Sequence, residues 1–420
     1  MKVLFLAPLL PYPPRSGAAI RNLNLIRGLA QHHEVTLLAF ADRPAGPTSA
    51  RPPGRDAERA APPELLALCR EVVAVDLPAR SRPRRLFDLL LPPPDLARRL
   101  ASPAMAKAAR TLAAQRSFDV VHVGGLEMAE VGLALRGRAA VVLDEHNAEY
   151  VLQRRAFENE LRLGGSPVGA LYSLVQWWKL RRYEARACRL ADGVMAVSEA
   201  DGQALLALAA GIRLAVVPNS VDTQEYSPRP RPPGGPPTLV FTGKMDFRPN
   251  VDAVVWFCRE ALPLVRAEAP DVRFRIVGRD PTEVVRRLGR LPGVEVVGAV
   301  ADDRPYVAGA HVFVVPMRVG GGVRIKVLQA MAAGAPVVST TLGLEGIAAR
   351  PGEHLLVADR PADFARAVLG LLASPKMGAR LARAARRLVE AGYDWRVLAP
   401  RVEAFYEATV EARRATFVPE

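Results

Sequence analysis

Short runs of aliphatic and β-branched residues recur along this chain of 420 residues, with helix-compatible segments between them. Such runs are almost continuously apolar, so both faces of the strands they form must be covered. Parallel sheets with helices on both faces meet that requirement, whereas a half-exposed antiparallel sheet would alternate in polarity. The predicted strands lie at 2–8, 34–40, 71–77, 119–125, 140–146, 193–198 and 214–220, then at 238–245, 273–278, 294–300, 311–316 and 336–341. The pattern predicts an α/β fold of doubly wound parallel sheets.

The stretch SPRPRPPGGPP at 227–237 interrupts this alternation, and it contains too much Pro and Gly for a regular element. A chain of this length also exceeds one ordinary core, so we expect two Rossmann-like domains. Their ligand should bind at the carboxyl ends of the strands, in a cleft between the domains. The expected bounds are 1–222 for the first domain, 223–237 for a linker, 238–390 for the second domain and 391–420 for a C-terminal helix. Residues 41–64 and 78–103 lack periodicity and are expected to be mobile loops with short helices.

The net charge indicates which kinds of molecule the protein could bind, and the cysteine content indicates the redox state of its compartment. Lys and Arg number 57 against 43 Asp and Glu, a net charge of +14, which suits phosphorylated small molecules, anionic membrane or nucleic acid. We find no zinc finger, RNP-type strand or aromatic-interleaved basic tract, so nucleic acid is not expected. A codon bias spread over a solvated surface would explain the charge equally well. Three scattered cysteines favour a reducing compartment.

Two segments, the N-terminus and residues 173–190, contain apolar or aromatic residues of the kind found in membrane-related segments. Prolines interrupt the first apolar run at Pro8 and Pro11, so a strand is preferred to a signal peptide, and no run is long enough for a transmembrane helix. Residues 173–190 predict a basic amphipathic helix with Trp177, Trp178 and Tyr183. Core packing of these aromatics is the preferred interpretation, and contact with a membrane interface is the alternative.

The segment GGGVRIKVLQAMAAGAPVVS at 320–339 indicates an anion site. Three adjacent glycines lose much backbone entropy on folding, which suggests that something approaches the backbone closely. Arg324 and Lys326 are expected in the first turn of the helix that follows, where cations oppose the helix dipole. A bound anion would remove that conflict. An ordinary glycine turn with solvated charges remains the alternative.

An ordered set of motifs then resembles a known family over nearly the whole chain. FTGKMDFRPNVDAVVWF, RIVGRDP, VEVVGAVADDRPYVAGAHVFVVPM and GGGVRIKVLQAMAAGAPVVSTTLGLEGI, within 241–347, are similar to the donor-binding domain of the family 4 glycosyltransferases. GAAIRNLNLIRGLAQHHEVTLLAF, DEHNAEY, ADGVMAVSEAD and VVPNSVD resemble the acceptor-binding domain of that family, and YDWRVLAPRVEAFYEAT resembles its helix that crosses back to the first domain. The resemblance implies the GT-B fold and a retaining, metal-independent transfer of sugar.

By this resemblance the anion is the diphosphate of a nucleotide-sugar. Gly320, Gly321 and Gly322 would let the backbone approach the sugar and phosphate. Arg324 or Lys326, together with Lys244, would neutralise the leaving diphosphate. The resemblance also implies donor-binding roles for Gly243, Gln329 and Gly17. For Gly17, an ordinary turn between strand and helix is an equal alternative.

One position departs from the family pattern in an informative way. The family carries two glutamates eight residues apart, the second of which binds the ribose, whereas this chain has Gly321 and Gln329. A neutral hydrogen bond contributes about 0.5–1.5 kcal/mol where a charged one contributes about 1.5–3 kcal/mol. We therefore expect donor binding weakened by about tenfold or less, although a non-catalytic homologue stays open.

His146 is the candidate catalytic residue of the first domain, since it ends the predicted strand AVVLDEH next to Asn147. By analogy it assists at the donor sugar or the acceptor, and a buried structural histidine is the alternative. Asp144 or Glu145 could orient it, and Asn147 could contact the acceptor. His122 remains open, while His311 and His354 are expected to be structural, and no cluster has metal-ligand spacing.

The sequence thus predicts a retaining glycosyltransferase with no cofactor beyond its nucleotide-sugar co-substrate. Its acceptor would be a polysaccharide, a lipid-linked sugar or a small molecule, and its location cytoplasmic. Peripheral contact with anionic membrane on the inner face is an open alternative, supported by basic segments at 80–85 and 179–189. A nucleotide-sugar 2-epimerase of the same fold is the competing enzyme class, but it should show more cleft carboxylates than Asp144 and Glu145.

Overall fold

The structure, a computed structural model, describes residues 1–41, 61–79, 88, 91–162, 167–230 and 234–416. The basic segment 80–85 lies outside the described residues, as do most of the two predicted loop segments and 231–233 of the predicted linker. The chain divides into two compact units, residues 1–218 with 398–420 and residues 219–397. The units thus meet in sequence at Pro218, where the sequence predicted a boundary at 222.

Unit 1 contains a wholly parallel seven-stranded sheet of order β3-β2-β1-β4-β5-β6-β7. Its strands are β1 Lys2–Ala7, β2 Glu34–Ala41, β3 Glu71–Asp76, β4 Val120–Gly124, β5 Ala140–Glu145, β6 Gly193–Ala196 and β7 Leu214–Val216. In β4, β5 and β6 every residue is buried, so the continuous apolar pattern has the predicted cause. The central pairing of β1 with β2 is in register from Lys2↔Glu34 to Ala7↔Ala39.

The helices of unit 1 cover both faces of this sheet. They are α1 Gly17–Leu29, α2 Pro63–Leu68, α3 Asp95–Arg99, α4 Pro103–Gln115, α5 Ala129–Leu133, α6 Glu149–Arg162, α7 Pro167–Leu190 and α8 Glu199–Leu208. Two separate apolar clusters, one containing Leu6 and Val123 and the other Phe5 and Met195, pack between sheet and helices. Burying each aliphatic or aromatic side chain contributes about 1.5–3 kcal/mol, and this packing holds the strand ends in place.

Unit 2 contains a wholly parallel six-stranded sheet of order β10-β9-β8-β11-β12-β13. Its strands are β8 Thr238–Thr242, β9 Arg273–Val277, β10 Val294–Gly298, β11 Val312–Val315, β12 Val337–Ser339 and β13 Leu356–Val357. Its helices are α9 Arg248–Trp256, α10 Leu262–Glu268, α11 Glu283–Leu288, α12 Arg304–Ala308, α13 Ile325–Ala332, α14 Pro361–Ala373 and α15 Pro375–Gly392. The last helix, α16 Trp395–Thr416, belongs to unit 1 from Leu398 onward. The predicted fold class, two doubly wound parallel-sheet α/β domains, is confirmed.

The segment predicted as a linker begins inside unit 2. Thr223 is buried, and its hydroxyl donates a hydrogen bond to Oδ2 of Asp394 at 2.6 Å. Tyr226 packs against the core of unit 2. The Pro-rich composition that suggests a linker therefore starts after residue 226.

The long basic helix is present as α7, but the preferred interpretation of its aromatics is wrong for one of them. Tyr183 is buried, whereas Trp178 is 52% exposed. No helix in the described part of the chain combines the length and the apolarity that crossing a bilayer requires.

Candidate functional site

The strand orders place two candidate regions at the points where ligands bind in doubly wound sheets. In unit 2 the order reverses between β8 and β11, and in unit 1 between β1 and β4. Loops at the carboxyl ends of such neighbouring strands diverge and leave a crevice. Gly243 and Lys244 follow β8, and the triple-glycine loop follows β11. The donor-binding residues predicted in unit 2 thus lie around one switch point.

Lys326 is the most informative side chain at this switch point. It lies in the first turn of α13, where its Nζ donates a hydrogen bond to Oδ1 of Asn250 at 2.9 Å. The same Nζ is 3.9 Å from the ring centroid of Phe241. Loss of hydration lowers the pKa of Lys326 well below its usual value, and Arg324 lowers it further. Among the described residues, no carboxylate pairs with this ammonium group.

Arg324 and the glycine loop differ slightly from the sequence expectation. Arg324 has extended backbone angles and precedes α13 as its N-cap, rather than lying in the first turn. Its guanidinium donates hydrogen bonds to the carbonyl oxygens of Gly321 and Gly322, the latter at 3.0 Å. Gly320 and Gly322 have φ values of 99° and 80°, which explains the need for glycine there. The arginine therefore organises the loop as well as adding charge to it.

Gly243 leaves room for side chains of the protein itself. A methyl group at this position would lie 2.9 Å from Nζ of Lys326 and 2.7 Å from Nδ2 of Asn250. Its φ of 154° is also unfavourable for other residues. The glycine thus allows Lys326 and Asn250 to come against the end of β8.

Lys244, which was predicted to neutralise the diphosphate, is partly exposed and lies next to two carboxylates. Its side chain is 43% exposed, and Nζ lies 2.9 Å from Oδ2 of Asp246 and 3.9 Å from Oδ2 of Asp280. Exposed ion pairs of this kind contribute little to folding stability. The two carboxylates nevertheless partly neutralise the positive charge that Lys244 would present to a phosphate.

Gln329 is buried in a hydrogen-bonded chain instead of standing alone. Its Nε2 donates to the hydroxyl of Tyr226 at 2.9 Å, and that hydroxyl donates to Oδ1 of Asp303 at 2.8 Å. Burial raises the pKa of Asp303, although the Tyr226 hydrogen bond opposes the rise. The tyrosine proton is committed to Asp303, so the residue at 329 has to donate to Tyr226. Glutamine meets that requirement and ionised glutamate does not.

In unit 1, Asp144 forms a fully buried ion pair with Arg21. Nε of Arg21 donates to Oδ2 at 2.8 Å and Nη2 donates to Oδ1 at 2.5 Å. Burial alone would raise the pKa of Asp144, but the Arg21 guanidinium and the hydrogen bonds hold it below its usual value. Arg21 also donates to the carbonyl oxygens of Val217 and Pro218. A charged Asp144 is thus fixed at the carboxyl end of β5.

Two histidines converge on this carboxylate. Nε2 of His146 lies 3.5 Å and Nε2 of His122 lies 3.6 Å from Oδ2 of Asp144. His122 is fully buried, its Nδ1 lies 2.7 Å from the hydroxyl of Tyr406, and burial lowers its pKa to about 4. His122 is therefore a structural neutral histidine. His146 is 15% exposed, which leaves it able to meet a ligand.

The structure distinguishes the two carboxylates that sequence left open. Asp144 is adjacent to His146, whereas Glu145 is fully buried with neither carboxyl oxygen hydrogen-bonded. Burial and then the neighbouring Glu184 raise the pKa of Glu145 well above its usual value. Asp144 is thus the residue placed to orient His146.

The loop after His146 is held by carboxylates that sequence reasoning missed. Glu184 of α7 accepts hydrogen bonds from the backbone N–H groups of Glu149 and Tyr150, each at 2.8 Å. Asp201 accepts the N–H of Ala148 at 3.0 Å. The candidate Asn147 donates from Nδ2 to Oε1 of Glu149 at 3.2 Å, so its amide is directed along the start of α6.

The remaining candidates are in ordinary positions. Gly17 is the exposed first residue of α1, directly after the N-cap Ser16, so the structure places it at a strand-to-helix turn. His311 and His354 each accept a backbone N–H through Nδ1, from Thr238 and Arg350, as expected of structural histidines. Arg21 and Asn250 were missed, although each is a polar residue within an apolar helix stripe, which is a usable signal.

Comparison with solved structures identifies the architecture as the GT-B fold of glycosyltransferases. Sucrose-phosphate synthase (tll1590) from Thermosynechococcus elongatus matches with a TM-score of 0.71, 18% identity, and coverage of 98% of this chain and 100% of that one. Anabaena Alr3699/HepE, in complex with UDP and glucose, matches with a TM-score of 0.64 and 15% identity over 97% of this chain and 100% of its own.

Sequence comparison identifies the family. Residues 15–225, half of the chain, match the family described as Glycosyltransferase Family 4, and residues 236–374 match Glycosyl transferases group 1. The chain therefore belongs to glycosyltransferase family 4. A phosphatidyl-myo-inositol mannosyltransferase of Mycobacterium leprae (strain TN) is 32% identical over 200 residues, 46% of this chain and 52% of that protein. An uncharacterized 44.6 kDa protein in the cps region of Klebsiella pneumoniae is 27% identical over 139 residues, 31% of this chain and 36% of its own. The matches thus span only about a third to a half of these relatives.

Proposed function

We propose that this protein transfers a sugar, with retention of configuration, from a nucleoside-diphosphate sugar to an acceptor. The observation that carries the proposal is Lys326, a half-buried cation at the switch point of unit 2 with no paired carboxylate among the described residues. Keeping an ammonium group partly dehydrated costs free energy that an anionic ligand would recover. Asn250 and Phe241 hold the group in place before the ligand arrives.

The chemistry of sugar transfer explains why a preorganised cation is useful there. As the anomeric carbon becomes oxocarbenium-like, negative charge grows on the departing diphosphate. Lys326, Arg324 and the amides of Gly320, Gly321 and Gly322 would stabilise that charge without having to reorganise. Lys244 would add a smaller, solvent-screened contribution.

His146 would act at the sugar or at the acceptor hydroxyl. Its Nε2 is near Oδ2 of Asp144, which a buried arginine keeps ionised. A carboxylate beside one imidazole nitrogen fixes the orientation of the ring. Asn147 would contribute a hydrogen bond at the same strand end.

The donor class, acceptor and location complete the proposal. UDP and UDP-glucose complexes of HepE and the mannosyltransferase relatives support a nucleotide-sugar donor. We propose an acceptor in polysaccharide or lipid-linked sugar synthesis, or a small molecule, a metal-independent reaction, and a cytoplasmic location with peripheral contact to the inner face of the membrane. The mannosyltransferase names make a lipid-linked acceptor the first to test.

A donor screen tests the proposal directly. The full chain is incubated with UDP-, GDP- and TDP-sugars, with and without acceptors, and released nucleoside diphosphate is measured with EDTA present and absent. Acceptor-dependent release, with the new linkage having the donor's anomeric configuration by NMR, is the expected result. Conversion of the donor to its 2-epimer would support the competing enzyme class. Nucleotide binding without turnover of any donor would support a non-catalytic homologue.

A further inference from the structure

The first half of α7 turns apolar side chains to solvent. Val168, Leu171, Val175 and Trp178 have exposed fractions of 77%, 62%, 39% and 52%. Their spacing of three and four residues puts them in one stripe, about 15 Å long at the rise of an α-helix. A surface helix normally has the opposite arrangement, with its apolar stripe against the protein.

Polar side chains occupy the buried face of the same half-helix. Ser173, Gln176 and Lys179 are buried. Oε1 of Gln176 accepts the backbone N–H of Asp95 at 2.8 Å, and Nζ of Lys179 donates to the carbonyl oxygen of Leu91 at 2.6 Å. Rotating the helix to bury its apolar stripe would leave these polar groups without partners, so the inverted orientation is fixed.

The stripe continues into the second half of α7 as arginines. Arg182, Arg186 and Arg189 follow Trp178 at spacings of four, four and three residues, and all three are exposed. The guanidinium carbon of Arg182 lies 3.6 Å from the ring centroid of Trp178. One exposed stripe is thus apolar in its first half and cationic in its second.

We infer that this stripe docks α7 on the surface of an anionic lipid bilayer. The apolar half would enter the boundary between headgroups and acyl chains, while the arginines meet lipid phosphates. Trp178 would lie at the interface, where amphipathic aromatic side chains are favoured. Since no described helix is able to cross a bilayer, α7 would lie on the membrane and not through it.

A second copy of this chain fits the stripe less well. Parallel pairing along the whole stripe would set arginines against arginines, and antiparallel pairing would set them against Val168, Leu171 and Val175. A bilayer offers anionic and apolar layers together, so it matches both halves. This inference gives a surface to the proposed peripheral location, and its test needs no sugar transfer, so failure here would leave the proposed activity standing.

Vesicle binding of the full chain tests the inference. Co-sedimentation is measured with phosphatidylcholine vesicles with and without phosphatidylglycerol, over a range of salt concentrations. The variant Leu171→Ser with Trp178→Ser should bind at least tenfold more weakly, because two insertions are lost. Arg182→Glu with Arg186→Glu should lose about fivefold or more per arginine and most of the salt dependence.

Matched controls lie on unit 2. Val284 is 49% exposed on α11, and Arg387 is exposed on α15, so Val284→Ser with Arg387→Glu removes similar groups elsewhere. This control should bind as the wild type does. Equal vesicle binding by the wild type and both α7 variants would overturn the inference. So would a change from dimer to monomer in the α7 variants by analytical ultracentrifugation with vesicle binding unaltered, since the stripe would then join two copies.

Discussion

Charged residues of this protein sit in surroundings that decide what each can do. Asp144 has a buried arginine and stays ionised, Glu145 has no partner and is kept neutral, and Lys326 has an amide oxygen and an aromatic ring. The sequence predicted Lys326 to neutralise the diphosphate and left Asp144 and Glu145 as alternatives for orienting His146. Asp144 and Lys326 each have a hydrogen-bond partner that fixes the side chain, whereas neither carboxyl oxygen of Glu145 is hydrogen-bonded.

His146 and Asp144 should differ in what their loss affects. His146→Gln should lower kcat by about 10²-fold or more, because we propose an acid–base role for its imidazole. Its melting temperature should change little, because the side chain is partly exposed and glutamine keeps a polar group there. Asp144→Asn leaves Arg21 buried without its counter-charge and should cost about 3–5 kcal/mol of folding stability. Turnover and thermal unfolding are measured on the same samples, with His32→Gln as the exposed control. Full activity in His146→Gln would exclude the assigned role.

The pair Gln329 and Asp303 should be coupled. In Gln329→Glu, the Tyr226 hydroxyl lies between two carboxylates but has only one proton to donate. One buried carboxylate is then left without a hydrogen bond, which should lower the free energy of unfolding by about 1–3 kcal/mol. Adding Asp303→Asn supplies a donor and should recover much of that loss. Additive effects in a denaturation double-mutant cycle would contradict the shared hydrogen-bonded chain.

The sequence shows which residue types follow β11, but it does not show which distant residues form hydrogen bonds with the candidate site residues. Glycines followed by cations predicted an anion site in the 320–326 loop, and the structure places Lys326 of this segment beside Gly243 and Asn250. Arg21 and Tyr226 act through contacts with residues more than a hundred positions away, at Asp144 and Gln329. No local pattern contains that information.

At the scale of elements, the strand pattern was reliable where strands are buried on both faces. The strands of both sheets were predicted from apolar runs, except for β13, whose two residues Leu356–Val357 are too few to form a pattern. The orientation of α7 was also missed, because it depends on polar groups at residues 91–95. An apolar pattern predicts which face of a helix is buried, but hydrogen bonds from buried polar side chains, as in α7, can turn the opposite face inward.

The start of α6 provides a prediction on pH. Burial raises the pKa of Glu184 from 4.5 to about 8, with its two backbone hydrogen bonds opposing. A carboxyl whose pKa is raised in the folded state binds more protons there, so it stabilises below pH 4.5 and that stability is lost as pH rises towards 8. Glu184→Gln mimics the protonated form and should flatten the fall in unfolding free energy across this window. Urea denaturation at several pH values measures the free energy of unfolding of variant and wild type. The same dependence on pH in both proteins would contradict the assignment.

At the scale of the whole molecule, the proposed anion site lies on one parallel-sheet unit and the histidine–carboxylate pair on the other. The strand topology puts the candidates Gly243, Lys244 and His146 directly after the carboxyl ends of parallel strands. Length and composition were enough to predict two units. The identity of sugar and acceptor depends on loop shapes and was beyond sequence.

Calorimetric titration with UDP and GDP tests the central claim, that Lys326 receives the donor's diphosphate. Because dehydration lowers the pKa of free Lys326, an arriving anion should raise it, so proton uptake on binding should appear as the assay pH is raised towards that lowered pKa, where the heat comes to depend on the buffer. Lys326→Met keeps the packing on Phe241; it should lose that proton uptake and about 1.5–3 kcal/mol, roughly 10- to 100-fold in Kd. Lys244→Met, at an exposed pair, should lose much less. Unchanged affinity and proton uptake in Lys326→Met would contradict the account.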